Sequence, residues 1–94
     1  MTRKYKIQSS KTYRKQVKLL KKRGYNMALL SDVVTLISQG ATLPARYQDH
    51  PLKGKFRGYR DCHIKDDWIL LYKIEENVLK LTLIQTGTHS DILE

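Results

Sequence analysis

The sequence predicts an α+β fold, with two helices packed over one face of a curved, mostly antiparallel sheet. Apolar residues recur at helical spacing through the first forty residues, whereas the second half is divided into short strand-like runs. Apart from a short first strand at residues 5–8, the helical half comes first. Such segregation of helices from strands is typical of α+β domains. We expect residues 1–94 to form a single domain.

Local signals bound both helices of the first half. Ser9 or Ser10 can cap the first helix, because a serine hydroxyl accepts a hydrogen bond from a free backbone N–H. Gly24 then supplies a left-handed stop. A second helix is predicted over residues 26–39, ending at Gly40. The short turn between the two helices predicts an antiparallel hairpin. The apolar stripe of the second helix consists of Met27, Leu30, Val33, Val34 and Ile37.

The second half predicts a β-meander that follows a loop over residues 45–54. Strands are expected at residues 55–59, 60–65, 68–74 and 78–85, with Gly58 at or near a bend and turns at 66–67 and 75–77. Residues 68–74 are apolar at both odd and even positions, as expected of a central strand covered on both faces. The aromatic side chains of this half are assigned to core or cross-strand positions rather than to base stacking; they are Tyr59, Trp68 and Tyr72.

The charge of the chain favours a polyanionic or acidic partner. Eighteen Lys and Arg residues against nine Asp and Glu give a net charge of +9, and ten of the basic residues precede the first acid, Asp32. A solvated helix face is the alternative explanation of this basic surface. No apolar run approaches the roughly 20 residues that span a bilayer, and the N-terminus lacks the apolar core of a signal peptide. The single cysteine, Cys62, is consistent with a reducing cytoplasm.

The histidines are the candidates for chemistry. The chain has three, His50, His63 and His89, each close to an acid. Strand alternation places Asp61 and His63 on one face and the intervening Cys62 on the other. If Cys62 points into the core, Asp61 and His63 share the exposed face. There a carboxylate can orient an imidazole.

These residue types suit cleavage of RNA. Attack by a 2′-hydroxyl needs one group to accept its proton and another to protonate the leaving 5′-oxygen, and histidine does both near neutral pH. Cations must also stabilise the phosphate, and Lys53, Lys55, Arg57 and Arg60 lie between His50 and His63. No metal or cofactor is required. Three surface histidines or a zinc site are the alternatives, but no pair has the i+2 to i+4 spacing common in zinc sites.

Five strings in residues 43–90 carry a family resemblance. They are Leu43-Pro44, Tyr47-Gln48-Asp49-His50-Pro51-Leu52-Lys53-Gly54, Gly58-Tyr59-Arg60-Asp61-Cys62-His63, Asp67-Trp68-Ile69-Leu70-Leu71-Tyr72-Lys73 and Thr86-Gly87-Thr88-His89-Ser90. In this order they resemble the YafQ branch of the RelE superfamily, which comprises bacterial mRNA interferase toxins of type II toxin–antitoxin systems. The first half agrees only in pattern.

The resemblance implies a ribosome-dependent mRNA endonuclease of the bacterial cytoplasm that acts in the ribosomal A site. By this resemblance His89 is the general acid. Proton acceptance, orientation and charge stabilisation are shared, without further division, among His50, His63 and Asp67. Asp61 also matches a functional position of the family. The implied partners are mRNA on the ribosome, ribosomal RNA and an acidic or amphipathic antitoxin of the RelB/DinJ kind. Operator DNA is reached only through the antitoxin.

Two positions depart from the family pattern. Gln85 stands where an arginine is expected at the RNA-binding surface, and Leu93 stands where an aromatic residue is expected. Losing a fixed positive charge predicts weaker activity, unless Arg57, Arg60 or a lysine compensates. Two other functions stay open: gyrase poisoning, as in the related ParE branch, and a non-catalytic module that binds nucleic acid or antitoxin.

Overall fold

A mixed five-stranded sheet organises the protein, and the computed structural model describes residues 3–92. The strands are β1 (Lys6–Ser9), β2 (His50–Pro51), β3 (Arg60–Lys65), β4 (Trp68–Glu75) and β5 (Lys80–Thr88), and the helices are α1 (Lys11–Lys22), α2 (Met27–Ser38) and α3 (His89–Ile92). Spatial order is β1-β5-β4-β3-β2. β1 runs parallel to β5, and every other neighbouring pair is antiparallel. The predicted α+β architecture is confirmed.

The ends of the helical hairpin follow from local chemistry. The Ser10 hydroxyl accepts the Tyr13 N–H at 2.9 Å and donates to the Ile84 carbonyl at 2.6 Å, so one side chain caps α1 and fixes it to β5. Gly24 takes a positive φ of 85° immediately after α1. The Asn26 side chain caps α2 by accepting the Ala28 N–H at 3.1 Å. None of the helices among the described residues has the length and apolarity that a bilayer crossing requires.

Two apolar clusters cover the two faces of the sheet. The larger cluster lies between the helices and the sheet and includes Trp68, Leu70 and Tyr72 of β4. The smaller cluster lies on the opposite face, where Ile69 and Leu71 pack against α3. The prediction that β4 is covered on both faces is therefore confirmed, and it places an apolar floor beneath the candidate site. The other residues of the smaller cluster are Leu52, Phe56, Tyr59, Ile84 and Ile92.

Three boundary predictions are wrong. Residues 55–59 do not form a strand, because Gly54–Phe56 is a turn of 3₁₀ helix and Gly58 has a φ of 95°. Phe56 and Tyr59, three residues apart, both reach the smaller cluster, which a strand with its two-residue period does not allow. The strand that pairs with β3 on this side is instead β2, which lies inside the predicted loop. β5 continues past Gln85 to Thr88, where α3 begins.

Candidate active site

Strand β3 delivers two candidate residues to the face opposite the helices. Cys62 and Ile64 are buried in the larger cluster, as the alternation predicts, so Asp61 and His63 point the other way. The expectation that this face is exposed is wrong for Asp61, which is only 2% exposed. The smaller apolar cluster covers its side of the sheet, since Leu71 is the cross-strand partner of Asp61.

His50 is brought to Asp61 by the pairing of β2 with β3. The two residues are register partners, and His50 Nδ1 lies 3.3 Å from Asp61 Oδ1. His50 Nδ1 is nearer to the Gln48 carbonyl oxygen, at 2.7 Å. A carbonyl oxygen can only accept, so Nδ1 carries the proton and a neutral ring has its free lone pair on Nε2. The ring is 51% exposed. His50 therefore presents a proton acceptor to solvent.

Asp61 is a buried ionisable group next to the histidines. Burial raises the pKa of its carboxyl, while the charges of His50, His63 and His89 act in the opposite direction. Its Oδ1 accepts no hydrogen bond from any described residue, although His50 Nδ1 lies 3.3 Å away. All three histidines thus act electrostatically on one buried carboxylate.

His89 and Asp67 form the second histidine–acid pair. Asp67 lies in the turn between β3 and β4, and its Oδ1 is 2.6 Å from His89 Nδ1 at the start of α3. An ionised carboxylate only accepts, so Nδ1 donates and Nε2 is left for a substrate. The His63 ring lies 5.2 Å from the His89 ring, centroid to centroid, at 57°. The structure therefore brings Asp67, His63 and His89 together and places His50 with Asp61 beside them.

A reciprocal cap holds His89 in place. The Thr88 N–H donates to Asp91 Oδ2 at 3.1 Å, and the Asp91 N–H donates to Thr88 Oγ1 at 3.3 Å. Ile92 anchors the same short helix on the smaller cluster. Sequence reasoning missed Asp91, although Thr-x-x-Asp is the capping-box spacing that could have revealed it.

Asp49 fixes the loop that leads into His50, and it too was missed. Arg60 Nη2 and Nε lie 3.1 and 3.3 Å from the two Asp49 oxygens, and the Tyr72 hydroxyl donates to the same carboxylate. Burial, followed by Asp49, raises the pKa of Tyr72. Arg60, predicted to bind RNA, is therefore already paired with an acid. The Asp49-His50 string carried no sign of this pairing, because it depends on the register of β3.

The remaining predicted cations border the site. Lys53, Lys55 and Arg57 are exposed on the loop between β2 and β3. That loop packs Phe56 and Tyr59 onto the smaller cluster, on the face that carries Asp61 and His63. Phosphates that follow this face therefore meet positive charge. Within residues 3–92, no three His, Cys, Asp or Glu side chains are grouped as metal ligands.

Comparison with known proteins identifies the family of the chain. Residues 5–94 match the family model described as "Bacterial toxin of type II toxin-antitoxin system, YafQ". The chain belongs to the YafQ family. The mRNA interferase toxin YafQ of Escherichia coli K12 is 46% identical over 85 residues, covering 89% of this chain and 90% of the relative. The putative toxin YafQ of Haemophilus influenzae is 36% identical over 90 residues, covering 90% and 88%.

A solved structure gives the same result for the fold. The crystal structure of the E. coli DinJ–YafQ toxin–antitoxin complex superposes with a TM-score of 0.88 at 41% identity, covering 97% of this chain and 99% of that chain. The resemblance stated from residues 43–90 therefore extends over the YafQ fold as a whole, including the first half, where only the pattern had agreed.

The two departures from the YafQ pattern have different outcomes. Gln85 lies opposite Leu71 at a bulge of β5, and its Oε1 accepts a hydrogen bond from Gln16 Nε2 at 3.2 Å. Gln16 Oε1 in turn accepts the Thr86 N–H at 2.8 Å. Gln16 of α1 therefore links the Gln85 side chain to the β5 backbone at Thr86. Sequence reasoning missed this contact. Leu93 lies outside the described residues.

Proposed function

We propose that this YafQ-family chain is an endoribonuclease toxin that cleaves mRNA during its translation on the ribosome. The observation that carries the proposal is the cluster of His63 and His89, whose ring centroids are 5.2 Å apart, with Asp67 hydrogen-bonded to Nδ1 of His89. Two adjacent imidazoles, one of them oriented by a carboxylate, can supply the proton for the leaving oxygen and a donor to the phosphate in RNA transesterification. The mRNA interferase YafQ of E. coli supports mRNA as the substrate.

The geometry allows a division of roles. His50 Nε2 accepts the proton of the 2′-hydroxyl, because Nδ1 is held by the Gln48 carbonyl. The 2′-oxygen then forms a bond to phosphorus, and the bond between phosphorus and the 5′-oxygen breaks. His89 acts in its doubly protonated form: Nδ1–H stays hydrogen-bonded to Asp67, and the Nε2 proton passes to that 5′-oxygen. The products are a 2′,3′-cyclic phosphate and a 5′-hydroxyl.

The neighbouring charges stabilise the transition state. His63, on the same strand face as Asp61 and next to His89, donates to a non-bridging phosphate oxygen. Asp61 acts through the imidazoles as their shared counter-charge, since it is buried and interacts with all three. Lys53, Lys55 and Arg57 are exposed next to this face and bind the flanking phosphates.

The basic face of α1 has a separate role, the binding of an antitoxin and of ribosomal RNA. Its cations are all exposed; they are Lys11, Arg14, Lys15, Lys18, Lys21 and Lys22. An acidic or amphipathic segment of a DinJ-like antitoxin gains affinity there from opposite charge. The DinJ complex of the E. coli YafQ supports this kind of partner. Such a module works where ribosomes are, in the bacterial cytoplasm.

A translation extract programmed with one reporter mRNA tests the proposal. Wild-type protein is expected to cut within the reading frame and to leave cyclic phosphate and 5′-hydroxyl ends, and removing the start codon should abolish the cuts. His89→Ala should abolish them as well. Cuts that persist without translation would contradict ribosome dependence. No cuts at all from wild-type protein would contradict the nuclease.

A further inference from the structure

A groove beside the proposed site has one wall in common with it. The first half of the groove, about 490 Å³ in volume, lies between the turn that joins α1 to α2 and the turn that joins β3 to β4. Arg23 and Tyr25 line one side, and Asp67 lines the other. The carboxylate that orients His89 is therefore also part of the groove wall.

The groove continues away from the site along α2. Its second half, about 420 Å³, is lined by Arg46 and Tyr47. Leu29 of α2 and Lys65 at the end of β3 line both halves, so the two meet at these residues. Each volume falls in the range of roughly 300–1,000 Å³ that holds small organic molecules. A path long enough for more than one such group therefore leads from Asp67 to Tyr47.

Aromatic rings alternate with cations along this path, and both rings are held in place. Tyr25 packs edge-to-face on Trp68, with centroids 5.1 Å apart and planes at 85°. The Arg46 guanidinium lies 4.6 Å from the Tyr47 ring centroid, and its Nη2 donates to the Tyr47 hydroxyl at 3.0 Å. Proteins that bind single-stranded RNA combine these two elements: bases stack on aromatic rings or guanidinium planes, and cations follow the phosphates.

We propose that this groove binds the RNA segment on the 3′ side of the cleaved phosphate. The inference rests on the role proposed for His89. The general acid gives its proton to the 5′-oxygen, which belongs to the downstream nucleotide, so the downstream strand leaves the site on the side of His89 and Asp67. The groove begins there. Arg23, Lys65 and Arg46 are exposed along the same direction and neutralise successive phosphates.

Binding to programmed ribosomes tests the inference without cleavage. The mRNA carries a 2′-O-methyl group at each nucleotide of the A-site codon, which blocks the attacking oxygen, and it ends either directly after that codon or six nucleotides further. Wild-type protein is expected to bind the longer mRNA about 5- to 100-fold more tightly, the effect of stacking one base. Arg46→Ala and Tyr47→Leu should remove this preference for length.

Lys15→Ala is the matched control, because it removes an exposed cation of α1 that lies outside the groove. It should weaken both complexes by the same factor. Arg46 is exposed, so its replacement keeps the test valid if Tyr47→Leu fails to fold, which thermal melting reports. Equal affinity of wild type for both mRNAs overturns this inference alone. Absence of wild-type binding to either mRNA overturns the proposed function with it.

An acidic peptide is the competing occupant of the groove. It is measured with the same variants and a fluorescent Asp/Glu-rich peptide in place of the ribosome. We expect Arg46→Ala and Tyr47→Leu to weaken the peptide no more than Lys15→Ala does. If they weaken it selectively and leave the preference for longer mRNA intact, the groove is a protein-binding surface and the inference is wrong.

Discussion

The two histidine–acid pairs use the same residue types in opposite surroundings. In the His89–Asp67 pair both side chains are open to solvent, at 41% and 61% exposed. In the His50–Asp61 pair the imidazole is exposed but the carboxylate is 2% exposed. The first acid forms a short hydrogen bond to its histidine, whereas the second lies near its histidine without hydrogen-bond geometry. An exposed acid can orient a ring, and a buried one supplies charge.

The largest effects are expected from removing the two histidines that transfer protons. His89→Ala should lower the rate of mRNA cleavage by about 10²–10⁴, the usual contribution of one well-placed acid or base. His50→Ala, which removes the proposed general base, should lower the cleavage rate to a similar extent. The measurement is the single-turnover rate on programmed ribosomes. Loss of less than tenfold for His89→Ala would remove it from proton transfer.

Removing the carboxylate of Asp67, which orients His89, should slow mRNA cleavage much less than removing His89 itself. Asp67→Asn keeps the shape of the side chain but loses the charge, and exposed ion pairs contribute up to about 1 kcal/mol, so we expect cleavage to be slower by a factor of up to about 5. Asp66→Asn is the matched control. Asp66 lies in the same turn with a positive φ of 52°, which asparagine tolerates. Similar losses in both variants would show that the turn, rather than the contact with His89, is what matters.

The buried acid should be visible in the pH dependence of stability. Because burial raises the pKa of Asp61, the native state binds its proton more tightly than the unfolded chain does. This residue therefore favours folding at low pH, and that contribution is lost as pH rises from its ordinary value of 3.8 through the raised value. Urea unfolding from pH 3.5 to 7 measures the difference. The stability of Asp61→Asn relative to wild type should increase with pH, and a decrease would contradict the assignment.

On the helix-covered face of the sheet, the thiol of Cys62 should react very slowly with thiol reagents. Burial raises the pKa of the Cys62 thiol to about 12, and the side chain has no solvent exposure. Its reaction with a thiol reagent at pH 8 should be at least about 100-fold slower in the native protein than in urea, because the thiolate forms only after opening. Fast native reaction would mean that β3 opens readily beneath Asp61 and His63.

Local chemistry predicted more of the fold than of the site. Ser10 and Gly24 determine where α1 begins and ends by contacts within a few residues, so the sequence revealed them. Strand alternation likewise placed Cys62 in the core, as found.

The pairing of β2 with β3, and with it the His50–Asp61 contact, depends on a partner eleven residues away in sequence. Asp61 is buried on the face that carries the smaller cluster, where its cross-strand partner is Leu71 of β4, and no pattern within β3 contains that information. The catalytic roles themselves remain predictions. The Gln16–Gln85 contact spans 69 positions and left no sign in either segment.

The parallel pairing of β1 with β5 also sets the timing of folding. Lys6 pairs with Lys80, so the first strand has no sheet partner until 74 further residues have been made. At about 5–20 residues per second, this is a delay of roughly 4–15 s during synthesis. Contacts of such long range are slow to form. Since His89 directly follows β5, the step that completes the sheet also assembles the histidines. A nascent chain therefore lacks the assembled histidine cluster until β5 has been made and paired.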